Sequence, residues 1–329
     1  MKIGILTFHA ARNYGAVLQC RCLYEVLRNM GHVVSVIDYR PSYLTEPYKV
    51  WSNYYLKHPG ILLEVSTRIS GAARREAGFR AFDSEINLSP FGQGGFDAIF
   101  YGSDQIWNRD ICKGIDPVFY AAEPFAASAV NIAYGASDGD VLPSPEEKVA
   151  IRRYLHNFQH IGVRESSMVK KMDSEGIPAE LNLDPVLLAG RPVVDNLCSA
   201  PVISEPYVLT YEAIDNPAVA DKANRIAFER GLKVIRIART PYGEGINKFS
   251  PREFVALFRD ADYIVTTSFH GTVLSILYDK EYEFVHTGTH ADGRIDSLLA
   301  ILGDKPEENL ELMRKESMHY IEKALESVK

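Results

Sequence analysis

The 329-residue chain is 46% hydrophobic and 24% charged, a globular balance with enough apolar mass for two ordinary domains, which sets a disordered chain aside. Its formal net charge of −7 supplies no general basic field for nucleic acid, so an anionic substrate has to be met by local arginines or backbone amides. Four scattered cysteines, Cys20, Cys22, Cys112 and Cys198, contain no CxxC pair; neither a disulfide framework nor a metal site is expected.

MKIGILTF opens the chain with a buried strand, residues 2–8, too short for a signal peptide or a membrane span, and a cytoplasmic location is expected. The polar turn His9 to Asn13 leads into a helix from about Tyr14 to Met30, with Asn13 as N-cap and Gly31 as its stop. Residues 33–38 form the next strand, which completes a βαβ unit and predicts a parallel sheet. The stretch 41–90 breaks this rhythm with aromatics (Tyr43, Tyr48, Trp51, Tyr54, Tyr55) and then Arg68, Arg74, Arg75 and Arg80. It reads as a helical insertion. Its 43–80 portion is either packed helices with a solvated basic face, the usual fate of a charge run, or an acceptor-binding lid or peripheral membrane contact.

Strands return at 96–101 and 130–134, Ser144-Pro145-Glu146-Glu147 opens a helix, and short strands end at Arg164 and near Leu183. Three prolines and weak periodicity over 190–206 place a domain boundary there, giving Rossmann-like domains over 1–190 and 191–329. The second contains a strand at 207–211, a helix closed by Gly231, a strand at 233–237 and the glycine-rich loop TPYGEGIN. A capping box at Ser250 and Glu253, a strand at 262–267, a helix from about Gly271 and a strand at 282–285 follow. An amphipathic tail helix, 307–329, is expected to pack back onto the N-terminal domain.

In parallel α/β sheets ligands sit beyond the carboxyl ends of the strands, and four segments fall there. In the first, Asn13 and Gly15 stand where helix amides could approach an anion, or form only a well-capped turn. The second, GSDQIWN, crowds Asp104, Trp107 and Asn108 after a strand where a plain loop needs no such polar groups; Asp104 capping a local turn is the lesser alternative. The third places Arg164 at a strand end, where its planar fork suits carboxylate or phosphate, or an ion pair with Glu165. The fourth, SFHGT, sets His270 beside a helix N-terminus, a position suited to proton transfer, although a lone histidine is as often structural. No GxSxG, Walker loop or HExxH is present.

In order, the segments NYGAVLQ, DAIFYGSDQIWN, IAYGAS, GVRESS, LDPVLL and ADYIVTTSFHGTVLSILYDKEYEFV, then RIDSLL, resemble the polysaccharide pyruvyl transferase family over about residues 1–302. GSDQIWN and SFHGT are the most specific. The resemblance implies an α/β fold similar to GT-B glycosyltransferases: two Rossmann-like domains with parallel sheets facing a cleft, the C-terminal helix crossing back. It implies phosphoenolpyruvate as co-substrate with no bound cofactor. The acceptor would be a sugar of a surface polysaccharide or its lipid-linked precursor at the inner face of the membrane, modified as a pyruvate ketal. Arg164 and His270 carry over as donor ligands or catalytic groups, with Phe269 beside the donor. Some relatives have Arg-Leu-His where this chain has Ser268-Phe269-His270; Arg12, Arg239 or Arg294 would then replace the missing cation.

Ketal formation needs a proton donor, a base and cations for a carboxylate and a phosphate. The expected roles are His270 as general acid/base, Arg164 as anion clamp and the Gly271 and Thr272 amides as a second cradle. Asp104 would be the base or sugar orienter, and Trp107 and Asn108 the acceptor contacts. Asp184 reads as a turn former. The rival readings are a nucleotide-sugar glycosyltransferase of this architecture, with Glu281 or Glu283 on the ribose, and a non-catalytic glycan-binding protein.

Overall fold

The computed structural model describes residues 1–48, 62–239 and 245–328, arranged on two parallel sheets. The first contains β1 (Lys2–Leu6), β2 (Val33–Asp38), β3 (Leu88–Pro90), β4 (Ala98–Tyr101), β5 (Val130–Ala136), β6 (His160–Val163) and β7 (Glu180–Leu181), in the order β3-β2-β1-β4-β5-β6-β7. The second contains β8 (Tyr207–Tyr211), β9 (Lys233–Ile237), β10 (Tyr263–Thr266) and β11 (Tyr282–Phe284), in the order β11-β10-β8-β9. Central strands such as β4, AIFY, are buried at every position because helices cover both faces. The order reverses between β1 and β4, the switch point where such sheets open a crevice.

The helix Tyr14–Asn29 joins the two halves. Asn13 caps it, accepting from the Gly15 and Ala16 amides. The Tyr14 ring stacks on Phe254 of the helix Pro251–Asp260 at 4.3 Å, and its hydroxyl donates to the Phe249 carbonyl at 2.8 Å. Burying each ring contributes about 1.5–3 kcal/mol, so the turn before this helix is held firmly against the second sheet.

The insertion contains the short helix Ser42–Thr45, the long helix Leu62–Asp83 and the edge strand β3, which the pattern of 41–90 did not suggest. The basic run is only partly a solvated face. Arg74 pairs with Glu253 at 2.6 Å. Arg75 is buried and donates to the Tyr14 hydroxyl, the Arg12 carbonyl and the Arg239 carbonyl at 3.0, 2.6 and 3.1 Å. Trp51, Tyr54, Tyr55 and residues Thr240 to Glu244 of the glycine-rich loop lie outside the described residues.

A helix, Pro185–Val194, runs into the stretch with weak periodicity, kinked at Gly190, whose φ of 69° only glycine adopts freely. Pro306–Glu326, the tail helix, crosses back to the first sheet. Its Tyr320 hydroxyl donates to the Ala133 carbonyl at 2.7 Å, and Ser317 accepts the Leu183 amide at 2.9 Å. Among the described residues no helix is long and apolar enough to cross a membrane.

Candidate active site

Five strand carboxyl ends and one helix start converge on one crevice. β4 leads into Asp104, β6 into Arg164, β7 into Asp184 and β10 into His270, while the turn after β1 brings Asn13 and Gly15. Arg294 comes from the first turn of the helix Asp292–Leu302. A cavity of about 570 Å³ opens here, lined by Asn13, Asp104, Asn108, Phe269, His270 and Arg294 among others. A larger cavity, about 670 Å³, lies at the far end of the helix Phe269–Leu277, among Leu188, Leu277 and Leu310, and includes no member of this charged cluster.

Asp184 is the hub. Its Oδ1 accepts the Val186 amide at 3.0 Å and so caps Pro185–Val194, while Oδ2 accepts from Arg164 Nη1 at 2.9 Å. The same Oδ2 stands 3.5 Å from His270 Nε2, a contact looser than a formed hydrogen bond. Burial pushes the Asp184 carboxyl up, but His270 and then Arg164 outweigh it and hold the group down at about 2.

Arg294 lines the cavity, whereas Arg164 is buried and is not among the lining residues. Arg164 lies 4.3 Å from the Phe269 ring centre and Arg294 5.6 Å, so the ring packs against both guanidinium groups. Arg164 also contacts Glu165 at 3.4 Å and Asp104 at 3.7 Å, yet its Nη2 makes no hydrogen bond. Arg294 Nε is likewise buried without a hydrogen-bond partner among the described residues. Burial, then the charge of Arg164, pull the Arg294 guanidinium down to about 10, against the opposing pull of Glu165 and Asp104. Glu165, also buried, is pushed up by desolvation, opposed by Arg164 and Arg294. A desolvated arginine at the positive end of a helix with an unmet N–H is a site that an anion would relieve.

Asp104 sits at φ 76°, a left-handed conformation that costs about 1–2 kcal/mol for an L-residue. Its Oδ1 accepts the Gln105 amide at 2.8 Å, so the carboxylate both caps its own turn and lines the cavity. Asn108 lines it too, but its Oδ1 caps the helix Arg109–Cys112 and its amide donates to Gln105 at 2.7 Å.

Several expected roles change. The Gly15 amide is taken by Asn13, and what Gly15 supplies is clearance: a β-carbon there would lie 2.2 Å from His270 Nδ1. The Gly271 amide goes to the Ser268 hydroxyl and the Thr272 amide to the Ser268 carbonyl, so neither is a free cradle. The helix starts at Phe269, which leaves the Phe269 and His270 amides as those without an intrahelical acceptor. Trp107 does not line this cavity: its indole N–H donates to the Phe119 carbonyl at 2.9 Å and its ring stacks on Tyr120 at 5.5 Å. Arg12 is consumed by Glu76 and Asp83, whereas Arg239 lines the cavity and Arg294 stands beside Phe269. Glu281 and Glu283 pair with Arg230 and Lys222 and are not among the cavity residues. Glu165 is the ion-pair partner that the sequence offered for Arg164, and Asp184, read as a turn former, does cap the next helix; what the sequence left unread is the contact of Asp184 with Arg164 and His270.

The family model described as polysaccharide pyruvyl transferase matches residues 13–281. No curated protein matches the sequence. Among solved structures, a Listeria monocytogenes protein assigned as a UDP-N-acetylglucosamine 2-epimerase is similar at 11% identity and a TM-score of 0.51, over 98% of this chain and 88% of that one. The E. coli heptosyltransferase WaaC is similar at 13% identity and a TM-score of 0.42, over 88% and 90% of the two chains. The first likeness concerns the fold alone, the GT-B arrangement of two parallel α/β halves.

Proposed function

The chain belongs to the polysaccharide pyruvyl transferase family, and on that premise we propose that it transfers the pyruvyl group of phosphoenolpyruvate to two hydroxyls of a sugar as a ketal. The acceptor is a unit of a surface polysaccharide or its lipid-linked precursor, and the donor pool places the reaction in the cytoplasm. The observation that carries this reading is a pair of buried guanidinium nitrogens without a hydrogen bond among the described residues, Arg164 Nη2, which has a 3.7 Å ion pair to Asp104, and Arg294 Nε, on side chains flanking Phe269 next to His270. They suit a small polyanion that carries a carboxylate and a phosphate.

The chemistry assigns the remaining groups. His270 delivers a proton to the methylene carbon, which becomes the methyl group and leaves an oxocarbenium-like centre at the neighbouring carbon. One hydroxyl oxygen bonds to that carbon, the carbon–oxygen bond to phosphate breaks, and the second hydroxyl closes the ring. Of the two hydroxyl protons, one replaces the proton delivered to the methyl group and one leaves with phosphate. Asp104 receives a hydroxyl proton, and Arg164 and Arg294 hold the donor's charges through the step.

Thermal stability in phosphoenolpyruvate, UDP-sugars and GDP-sugars tests the donor, since a ligand bound at 100 times its Kd adds about 2.7 kcal/mol. Stabilisation by phosphoenolpyruvate, with phosphate released only when an acceptor is present, supports the proposal. Stabilisation by a nucleotide-sugar alone would replace it with glycosyl transfer.

A further inference from the structure

The pyruvyl-transfer reading needs His270 to hold and return a proton at a defined nitrogen, and the surroundings of the ring select which one. The Nε2 atom is buried and faces Asp184 Oδ2 at 3.5 Å. Both oxygens of Asp184 already accept, Oδ1 from the Val186 amide and Oδ2 from Arg164, so this carboxylate has no proton to offer the ring. A neutral imidazole opposite an obligate acceptor keeps its proton on Nε2. The ring lines the cavity, which leaves Nδ1 as the nitrogen available to substrate, and Nδ1 is the atom against which Gly15 packs without a side chain.

We propose that Asp184 is a positioning residue that fixes His270 as its Nε2–H tautomer, so that Nδ1 is the atom exchanging the proton with substrate. This deepens the pyruvyl-transfer reading and rests on it for its catalytic meaning, but the tautomer itself is a property of the protein without substrate.

Asp184→Asn is the direct test, because asparagine caps a helix as well as aspartate and keeps the contact to Val186. Its side-chain NH₂ can donate to Nε2 and so favours the opposite tautomer. Nitrogen NMR of ¹⁵N-histidine-labelled protein, with His270 assigned by loss of its signals in His270→Ala, reads both nitrogens directly. With the ring neutral, at alkaline pH, we expect a protonated Nε2 and an unprotonated Nδ1 in the wild type, shifted toward protonated Nδ1 in Asp184→Asn; the proton delivered in catalysis is the second one, carried on Nδ1 of the cationic ring. Turnover in that variant should fall ~10²-fold or more while melting stays cooperative. Asp184→Ser, which caps but does not reach the ring, should give mixed tautomers. If Asp184 only capped its helix, the serine variant would keep the wild-type tautomer, whatever the loss of the Arg164 contact does to turnover. A wild-type ring protonated on Nδ1 alone, or a tautomer unaltered in both variants, overturns the proposal. A tautomer shift in protein that transfers no pyruvyl group at all would uphold the role of Asp184 and count against the proposed reaction only.

Discussion

Gly15 and His270 touch across the two halves of the chain: a methyl group on Gly15 would lie 2.2 Å from Nδ1 of the imidazole. No carbon sits that close to a nitrogen it is not bonded to, so Gly15→Ala must displace the ring or the helix that begins at Tyr14. Overpacking of this kind costs about 1–3 kcal/mol, and a misplacement near 1 Å can cost about 10²-fold in rate. Gly15→Ala should therefore fold, melt at lower temperature and lose about 10²-fold in turnover. His270→Ala should lose ~10²–10⁴-fold, the usual worth of a general acid/base. Steady-state phosphate release checks both, and wild-type turnover in folded Gly15→Ala would show that the ring position is irrelevant.

Arg294→Met separates function from stability. The native side chain is buried with an unpartnered Nε beside a second guanidinium, so an apolar replacement removes a desolvation cost. Denaturant unfolding should find the variant within about 1 kcal/mol of wild type, or more stable. Titration calorimetry should find phosphoenolpyruvate bound roughly 10- to 150-fold more weakly, the worth of one charged hydrogen bond. Unchanged donor affinity would remove Arg294 from the anion site.

Asp184 should leave a mark on acid stability. Its folded carboxyl lies at about 2, below the ordinary 3.8, so its contribution is complete above about pH 4 and disappears as pH falls toward 2. The amount is on the order of 2 kcal/mol. The difference in unfolding free energy between wild type and Asp184→Asn should shrink by about that much between pH 5 and pH 2.5. A difference independent of pH would mean that the carboxylate is not held ionised in the folded protein.

Trp107 marks the limit of the acceptor contacts. With its N–H on the Phe119 carbonyl and its ring between Tyr120 and Phe158, Trp107→Phe should cost about 1–3 kcal/mol in stability and leave the acceptor KM unchanged. A raised acceptor KM with unaltered melting would return Trp107 to the sugar site.

What the sequence made legible was local chemistry. Asn13, Ser144 and Ser250 announce their helices because a cap bonds amides two or three residues away, and all three do so. The strand ends at Arg164 and His270 were readable because apolar runs stop there. What stayed hidden depends on distant partners. Asp184 matters because β6 and β10 end on either side of it, and nothing in LDP encodes those neighbours. Gly15 looked like an opening for an anion, whereas the space is filled by a side chain more than two hundred positions away. Trp107 stands among polar residues in sequence, yet Phe119, Tyr120 and Phe158 close over it.

The central claim is that the carbon bearing the phosphate of phosphoenolpyruvate ends bonded to two sugar oxygens. Carbon NMR of the product formed from donor labelled at that carbon, with an oligosaccharide acceptor, reads those bonds directly. The account predicts one new ketal carbon, coupled to a methyl group and dependent on His270 and Arg164. Free pyruvate with an unmodified acceptor, or an enol ether that keeps its methylene, would contradict it.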